Sequence, residues 1–194
     1  MQTINTREPH HDIDPIYINR WSPRAFSDKP VEDDKLNAVF EAARWAPSAA
    51  NWQPWHFIVA KTEEDRKRFL GFINDSNVEW CQRAPVITLI ISKKVRNEEG
   101  DLNPFHAFDT GTAWGYLTLE AARQGLITHG MGGFSKQDAR KELGIPDDYD
   151  IQAVFVMGYH NPDAPLSAHN AKREIPSGRK TLDEIVHEGS FEHK

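Results

Sequence analysis

One apolar run constrains the fold of this chain more than any other segment. Residues 86–91 follow Pro85, are rich in β-branched side chains and are apolar on both faces of a strand, with Thr88 as the one interruption. A strand of this kind must be covered on both faces, which is typical of a central strand buried in a sheet. The run is the longest apolar stretch of the sequence, and it is far too short to span a bilayer.

Helical and strand-like segments alternate along the rest of the chain. Thr62 and Ser135 each stand ahead of a predicted helix as N-caps, and Gly125 is placed to end the longest helix. This alternation, without a repeat or a linker, predicts one α+β or α/β domain over residues 1–194. The predicted helices cover residues 13–17, 30–46, 62–73, 105–124, 135–144 and 181–187, and the predicted strands cover 55–60, 86–91, 126–130 and 151–158.

Charge and composition narrow the function classes. The chain carries 23 Lys and Arg against 29 Asp and Glu, a formal net charge of −6. This balance argues against nucleic acid as a partner, but it leaves room for a local phosphate pocket. The one cysteine, Cys81, excludes an internal disulfide and a cysteine-rich metal centre, and we expect a partly buried, inert thiol. His10 and His11 lack spaced partner ligands, so no metal site is predicted.

The N-terminal residues and the absence of a membrane-length run bear on location. Residues 1–14 are polar and lack the apolar core of a secretory signal, and residues 1–11 are expected to form a loose arm. With no membrane span predicted, we expect a cytoplasmic protein.

A short basic segment is the first candidate binding site. Arg20, Ser22 and Arg24 alternate, so their side chains point the same way in an extended segment. Two guanidinium groups with a hydroxyl between them suit a phosphate, because each planar fork can donate two hydrogen bonds to its oxygens. The alternative is a solvated basic turn, which the pattern alone favours.

The second candidate is the small-residue segment over residues 46–57, which holds two carboxamides. Asn51 and Gln53 lie among small residues, between Pro47 and a tryptophan that opens a predicted strand. Small residues allow the backbone to approach a flat ligand, and the amides can pair with the edge of a heterocycle. An ordinary loop between a helix and a strand explains the segment equally well.

Two weaker candidates and a long tail lie nearer the C-terminus. Residues 130–133, Gly-Met-Gly-Gly, expose backbone N–H groups, although a structural turn is the more ordinary explanation. Arg179 and Lys180 are either cations that complete a phosphate site or a plain surface pair. The polar tail over residues 161–179 has too few apolar side chains for a core of its own, so we expect it to wrap a partner subunit.

Taken together, these segments resemble the nitroreductase family of flavin enzymes. The most specific string is Ala46-Pro47-Ser48-x-x-Asn51-x-Gln53-Pro54-Trp55-x-Phe57, and its order and spacing relative to the other segments support it. The resemblance covers almost the whole chain, from about residue 17 to residue 187. The other segments that carry it are Arg20-x-Ser22-x-Arg24-x-Phe26, Ala84-Pro85-Val86, Gly125-Leu126, Gly132-Gly133-Phe134, residues 154–158 and Arg179.

The resemblance implies an α+β fold, a mixed sheet flanked by helices, in an intertwined homodimer whose C-terminal tail wraps the partner. It also implies FMN bound at the subunit interface. One group of residues would hold the phosphate and the nearby ring edge, and two other groups would meet the ring. The first group is Arg20, Trp21 through its backbone, Ser22, Arg24 and Arg179; the others are Pro47, Ser48 and Asn51 from the other subunit, and Met131, Gly132 and Gly133 along the ring.

The activity that the resemblance implies is that of an FMN-dependent oxidoreductase. Such an enzyme transfers hydride from NADH or NADPH through flavin N5 to nitroaromatic, quinone or similar small-molecule acceptors, with ping-pong kinetics. No side chain is expected to be catalytic, since the flavin carries the chemistry. Two alternatives stay open, namely a flavin-binding store or sensor without turnover, and a specialised flavin enzyme that dehalogenates or fragments its substrate.

Three features depart from the family pattern. Trp52 stands where a smaller polar residue is expected, and Ser177 stands where many members carry a second basic residue, two places before Arg179. Phosphate binding is then expected to depend more on the arginines of the basic segment, or on Lys180. The segment between residues 93 and 105 is short, so the sequence predicts no particular lid over a substrate pocket.

Overall fold

Helices and strands alternate along residues 6–191, the part of the chain that the computed structural model describes. Residues 1–5, which belong to the predicted loose arm, and residues 192–194 lie outside this part. No helix within it has both the length and the apolar character that a bilayer crossing requires. The α-helices are α1 (Ile16–Asn19), α2 (Asp33–Arg44), α3 (Glu63–Leu70), α4 (Asp75–Cys81), α5 (His106–Arg123), α6 (Lys136–Leu143) and α7 (Ala168–Ala171). The strands are β1 (Trp55–Ala60), β2 (Val86–Lys93), β3 (Ile127–Met131) and β4 (Tyr149–Gly158), and 3₁₀ turns cover Ala49–Asn51 and Leu182–Glu184.

The four strands form one sheet in the order β1–β2–β4–β3. All three neighbouring pairs are antiparallel, and the register sets Phe57 opposite Ile90 and Leu89 opposite Val154. The expected α+β class is confirmed. Where a mixed sheet was expected, the pairing is antiparallel throughout, since a mixed sheet requires a parallel pair and residues 6–191 form none.

Both faces of β2 are buried, as its apolar sequence predicts. Ile87, Leu89 and Ile91 point into a core to which α3, α4 and α6 contribute, and Val86 and Ile90 point into a second core beside α2 and α5. The sheet therefore lies between two layers of helices. The helical residues of the second core recur at helical spacing, namely Leu36, Val39 and Ala43 in α2 and Ala113, Leu117 and Ala121 in α5.

Caps place several helix ends where the sequence predicts them. The hydroxyls of Thr62 and Ser135 each accept a hydrogen bond of 3.1 Å from the backbone N–H three residues further on, so α3 and α6 begin directly after these residues. Helix α5 ends before Gly125, whose φ of +75° suits a glycine. The bounds of β1 match the prediction, and the other predicted elements shift by up to three residues.

Helices α4 and α7 are not predicted by the sequence pattern, and α7 lies within the polar tail. The predicted helix over residues 62–73 ends at Leu70, and after a short turn the chain enters α4. Only Trp80 and Cys81 of its seven residues are buried, which is too few for a helical stripe. Cys81 is fully rather than partly buried, and burial raises its pKa to about 12, which keeps the thiol protonated.

Candidate functional site

A cavity of about 450 Å³ lies between residues 20–24, strand β3 and the C-terminal tail. Its wall includes Trp21, Ser22 and His129. No carboxylate occurs among the described residues that line it, so we call it the basic cavity. Its six cationic side chains are Arg7, Arg20, Arg24, Lys172, Arg173 and Arg179.

The fold brings the predicted phosphate residues together, since Arg20, Trp21, Ser22, Arg24 and Arg179 all line the basic cavity. Arg20 leaves α1 with φ −68° and ψ 123°, an extended backbone that begins the alternating segment. Its Nη1 lies 3.4 Å from Ser22 Oγ, close enough to donate a weak hydrogen bond. Arg179 reaches the same cavity from the tail, where its Nη1 donates to the Gly178 carbonyl at 2.8 Å.

The gathered cations destabilise one another. Burial lowers the pKa of the Arg20 guanidinium, and the neighbouring Arg179 lowers it further. Burial and the charge of Arg173 lower the pKa of Arg24, against a smaller opposing effect of Glu174. Like charges held in a partly buried space are stabilised by a bound anion. The donor set of guanidinium groups and a hydroxyl therefore suits a phosphate.

Glu174 lies behind the wall of the basic cavity. One of its oxygens accepts from the backbone N–H of Arg24 at 2.8 Å, and the other accepts from the N–H of Ala25 at 2.9 Å. His160 Nε2 lies 3.5 Å from the same carboxylate. Burial by itself would raise the pKa of Glu174, but the hydrogen bonds outweigh it and lower that pKa below its ordinary value. Glu174 therefore anchors the backbone of the basic segment to the tail.

His129 is a wall residue that the sequence patterns do not single out. Its Nδ1 lies 2.9 Å from the Pro23 carbonyl oxygen, and its ring centroid is 4.5 Å from that of Trp80. Burial is the main cause that lowers its pKa, so a neutral ring with its proton on Nδ1 accounts for the contact. A lone histidine on a strand carries no motif, and only the fold identifies it. The same is true of three cations of the cavity, Arg7, Lys172 and Arg173.

The second predicted segment contains a strained loop at residues 48–53, which we call the amide loop. Ala50, Asn51 and Gln53 have φ values of +48°, +57° and +49°, a region that is costly for most residues with a side chain. The N–H of Gln53 donates to Ser48 Oγ at 3.0 Å and holds the loop closed. Strained backbone of this kind concentrates at functional sites.

A buried carboxylate on α5 anchors the amide loop. Asp109 is 4% exposed, and its Oδ2 accepts a hydrogen bond of 3.1 Å from the N–H of Ala49. Asp109 lies in the first turn of α5, where a negative charge interacts favourably with the positive end of the helix dipole. The structure adds that this acid fixes the entry to the loop.

The amide loop and the basic cavity are separate within one chain. Pro47, Ser48 and Asn51 do not line the basic cavity. Asn51 is exposed, and Trp52 is half-buried with the Arg96 guanidinium 5.5 Å from its ring centroid. The predicted phosphate residues and the predicted ring residues of the 47–51 segment therefore form two sets that do not line one cavity in a single copy of the chain.

The glycine turn follows β3, the strand that carries His129. The Met131 side chain is packed in the core, so only its backbone can face a ligand. The space beside Gly132 is open. A Cβ at Gly133 would lie 2.6 Å from Asn77 Nδ2, so a side chain there would displace the Asn77 amide, which donates a hydrogen bond to the Gly133 carbonyl. The structural explanation thus holds at Gly133, while Gly132 leaves room for a ligand.

The model of the nitroreductase family matches residues 17–79 and 73–159, which is most of the chain. A protein of Streptomyces coelicolor with the provisional name NADH dehydrogenase/NAD(P)H nitroreductase is 26% identical over 169 residues, which cover 77% of this chain and 83% of the relative. A protein of Archaeoglobus fulgidus with the same provisional name is 28% identical over 148 residues, covering 74% of this chain and 82% of the relative.

Solved structures agree with the family match. A crystal structure described as an oxidoreductase containing FMN superposes with a TM-score of 0.93 and 36% identity, over the whole of both chains. A nitroreductase, provisionally so named, from Exiguobacterium sibiricum in complex with FMN superposes with a TM-score of 0.73 over 94% of this chain and 99% of the other. The second is 20% identical, so it supports the fold alone.

Proposed function

Because the chain belongs to the nitroreductase family, we propose that it is an FMN-dependent oxidoreductase. It would use NADH or NADPH to reduce a small-molecule acceptor such as a nitroaromatic compound or a quinone. The observation that carries the proposal is the basic cavity, which six cations line without a carboxylate among the described lining residues. Bound FMN would supply the two-electron chemistry at N5, which the side chains of this chain do not provide.

The residues of the basic cavity fit the phosphate end of FMN. Arg20, Ser22 and Arg179 would donate to the phosphate oxygens, because guanidinium forks and a hydroxyl match them in charge and geometry. Arg24 lies near Arg173 and would hold the edge of the flavin ring next to the phosphate. The backbone of Trp21 would lie beside the same ring edge. The support is the shared cavity and the mutual repulsion of its cations, which a dianion would relieve.

The turn after β3 would lie along the ring. Met131 ends the strand that carries His129, Gly132 and Gly133 follow it directly, and His129 lines the basic cavity. A strand advances about 3.3 Å per residue, so Met131 lies roughly 7 Å along the strand from His129. Open space at Gly132 allows a flat ligand to approach the backbone there.

A homodimer would join the amide loop to the basic cavity. Pro47, Ser48 and Asn51 would reach the ring of the FMN held by the partner subunit, since they lie away from the cavity of their own chain. The tail would wrap the partner, and its exposed apolar side chains support this role. These are Leu182, Ile185 and Val186, which are 50%, 57% and 59% exposed.

The test is an anaerobic titration of the purified protein, saturated with FMN, with NADPH and then with NADH, followed by its visible spectrum. We expect the flavin absorption near 450 nm to bleach with at least one nucleotide, and to return when a quinone or nitroaromatic acceptor is added. If the flavin absorption persists with both nucleotides, the alternative of a flavin-binding store or sensor without turnover would be favoured. A protein that takes up no FMN would overturn the proposal and the site assignment with it.

A further inference from the structure

The tail brings Arg179 to the basic cavity, where Arg179 lies close enough to Arg20 to lower its pKa. Ser177 stands two residues before Arg179 and also lines the cavity. Lys180 lines a neighbouring cavity of about 750 Å³ and not the basic one. A further cation beside Arg20 and Arg179 therefore has to come from another part of the chain.

We propose that Arg7, on the N-terminal arm, is a third cation of the phosphate site beside Arg20 and Arg179, so that the arm straps the site closed from outside. The proposal rests on the proposed function, because it names a further residue for the same FMN phosphate. Arg7 lines the basic cavity together with Arg20 and Arg179. Its Nη1 lies 3.4 Å from the backbone carbonyl oxygen of Arg20, which brings the guanidinium to the start of the basic segment.

The arm lies beside the tail at the edge of the basic cavity. Arm residues and tail residues line the 750 Å³ cavity together, and much of this lining is apolar. Arg7 and Arg179 belong to the lining of both cavities, so they stand at the boundary between the two. The apolar residues of the larger cavity include Pro9, Ile13 and Tyr17 from the arm side and Pro176, Leu182 and Ile185 from the tail. Ile13, Tyr17, Leu182 and Ile185 are 46%, 55%, 50% and 57% exposed, so this apolar lining is open and a partner subunit can also cover it.

The electrostatics of Arg7 agree with its geometry. Burial and the charge of Arg179 lower the pKa of Arg7, and Arg7 in turn contributes to the lowered pKa of Arg20. Three arginines thus meet at one end of the basic cavity, while Arg24 and Arg173 form a second group. Glu8, the next residue of the arm, lines the neighbouring cavity and not this one. A phosphate dianion is the ligand that such a trio of guanidinium groups selects.

The experiment compares two ligands that differ only in the phosphate. FMN and riboflavin are titrated against the full-length protein stripped of flavin, and their dissociation constants are measured by quenching of flavin fluorescence. The variant Arg7→Gln should weaken FMN binding at least about tenfold and leave riboflavin binding within about twofold, since a charge-assisted hydrogen bond contributes about that factor or more. The control Arg83→Gln removes the same charge from an exposed arginine that lines a different cavity, and it should change neither constant.

Each outcome decides the proposal. A selective loss of FMN affinity in Arg7→Gln, with Arg7→Lys falling between the two because it keeps the charge but not the fork, would support it. Unchanged FMN affinity, or an equal loss for FMN and riboflavin, would overturn it. If the wild-type protein binds neither ligand, the proposed function fails instead, so the two failures are distinguishable.

Discussion

The basic cavity and the amide loop are assembled from the chain in opposite ways. The cavity draws Arg7, Arg20 and Arg179 from opposite ends of the sequence and places them on ordinary backbone. The amide loop is one continuous stretch of six residues, and three of them occupy the left-handed region. The basic cavity is destabilised by repulsion between like charges, whereas the amide loop is destabilised by backbone strain.

The difference indicates which kind of partner each region suits. Repulsion among cations is relieved by an anion, so the basic cavity suits an anionic ligand. The strain of the amide loop is held by internal contacts, including the one to buried Asp109, while Asn51 stays exposed. The loop therefore keeps its shape through contacts within one chain. This agrees with the proposal that it meets the flavin ring of an FMN held by a second subunit.

The largest effect is expected from removing charge in the basic cavity. The double variant Arg20→Ala, Arg24→Ala should remain folded but lose FMN affinity by a factor of about 100 or more, because each substitution removes a charge-assisted hydrogen bond to FMN. The measurement is the dissociation constant of FMN from fluorescence quenching. The matched control is Arg44→Ala, Arg123→Ala, which removes two exposed arginines from helical ion pairs and should leave that constant unchanged. A wild-type dissociation constant in the first variant would refute the assignment of Arg20 and Arg24 to FMN.

The next largest effect is expected from removing the end of the tail, which should dissociate the proposed dimer and so separate the amide loop from the partner's basic cavity. A chain that ends at Lys180 keeps Arg179 but loses Leu182, Ile185 and Val186, which are exposed in one chain. If these side chains are buried against a partner, the dimer dissociation constant should rise at least about tenfold, since burying one such side chain contributes about 1.5 kcal/mol. Sedimentation velocity measures it.

A second variant checks the cause of that effect. Ile185→Ser with Val186→Ser keeps the full tail and removes only apolar surface, so it should weaken the dimer in the same direction. A truncated chain that sediments as an unchanged dimer would show that the exposed tail side chains do not face a partner. The amide loop would then need another route to a flavin ring.

Local signals explain how much of this molecule the sequence predicts. The cap hydroxyls of Thr62 and Ser135 act three residues away, and the apolar run of β2 reports its own burial, so these elements are predicted with nearly correct bounds. The Arg20, Ser22 and Arg24 segment is likewise predicted, because its alternation is visible in five residues. The antiparallel pairing of the whole sheet is not, since strand order depends on contacts between distant segments.

The rest of the site could not be predicted for the same physical reason. His129 joins the basic cavity through Pro23, 106 residues earlier in the chain, and Glu174 holds Arg24 across 150 residues. Neither contact has a signature in the sequence near either partner. The strain at Ala50 is also invisible there, because glycine and asparagine are the residues that signal a left-handed backbone, and alanine does not.

A smaller effect tests the anchor behind the basic cavity. The pKa of Glu174 is lowered in the folded chain, so its stabilising effect is present above the ordinary carboxyl pKa, near pH 4.5, and is lost as the pH falls toward the folded pKa. The variant Glu174→Gln should lower the free energy of unfolding by about 1–2 kcal/mol at pH 7, and the difference from the wild type should shrink by pH 3. Urea unfolding at both values measures it, with Glu98→Gln on an exposed loop as the control. A difference that does not depend on pH would contradict the anchor.

The smallest effect concerns the amide loop and is opposite in sign. Ala50 has a φ of +48°, which costs an L-residue roughly 1–2 kcal/mol, and a glycine pays no such cost. Against this, the greater conformational entropy of glycine stabilises the unfolded chain by about 0.4–1 kcal/mol. Ala50→Gly should therefore raise the free energy of unfolding by about 0.5 kcal/mol. Ala49→Gly, one residue away on unstrained backbone, should lower it by a similar amount. Equal losses in both variants would mean that the loop holds no strain. A gain confined to residue 50 would mean that the chain retains a strained loop at the expense of its own stability, as expected where the loop shape serves a ligand on another subunit.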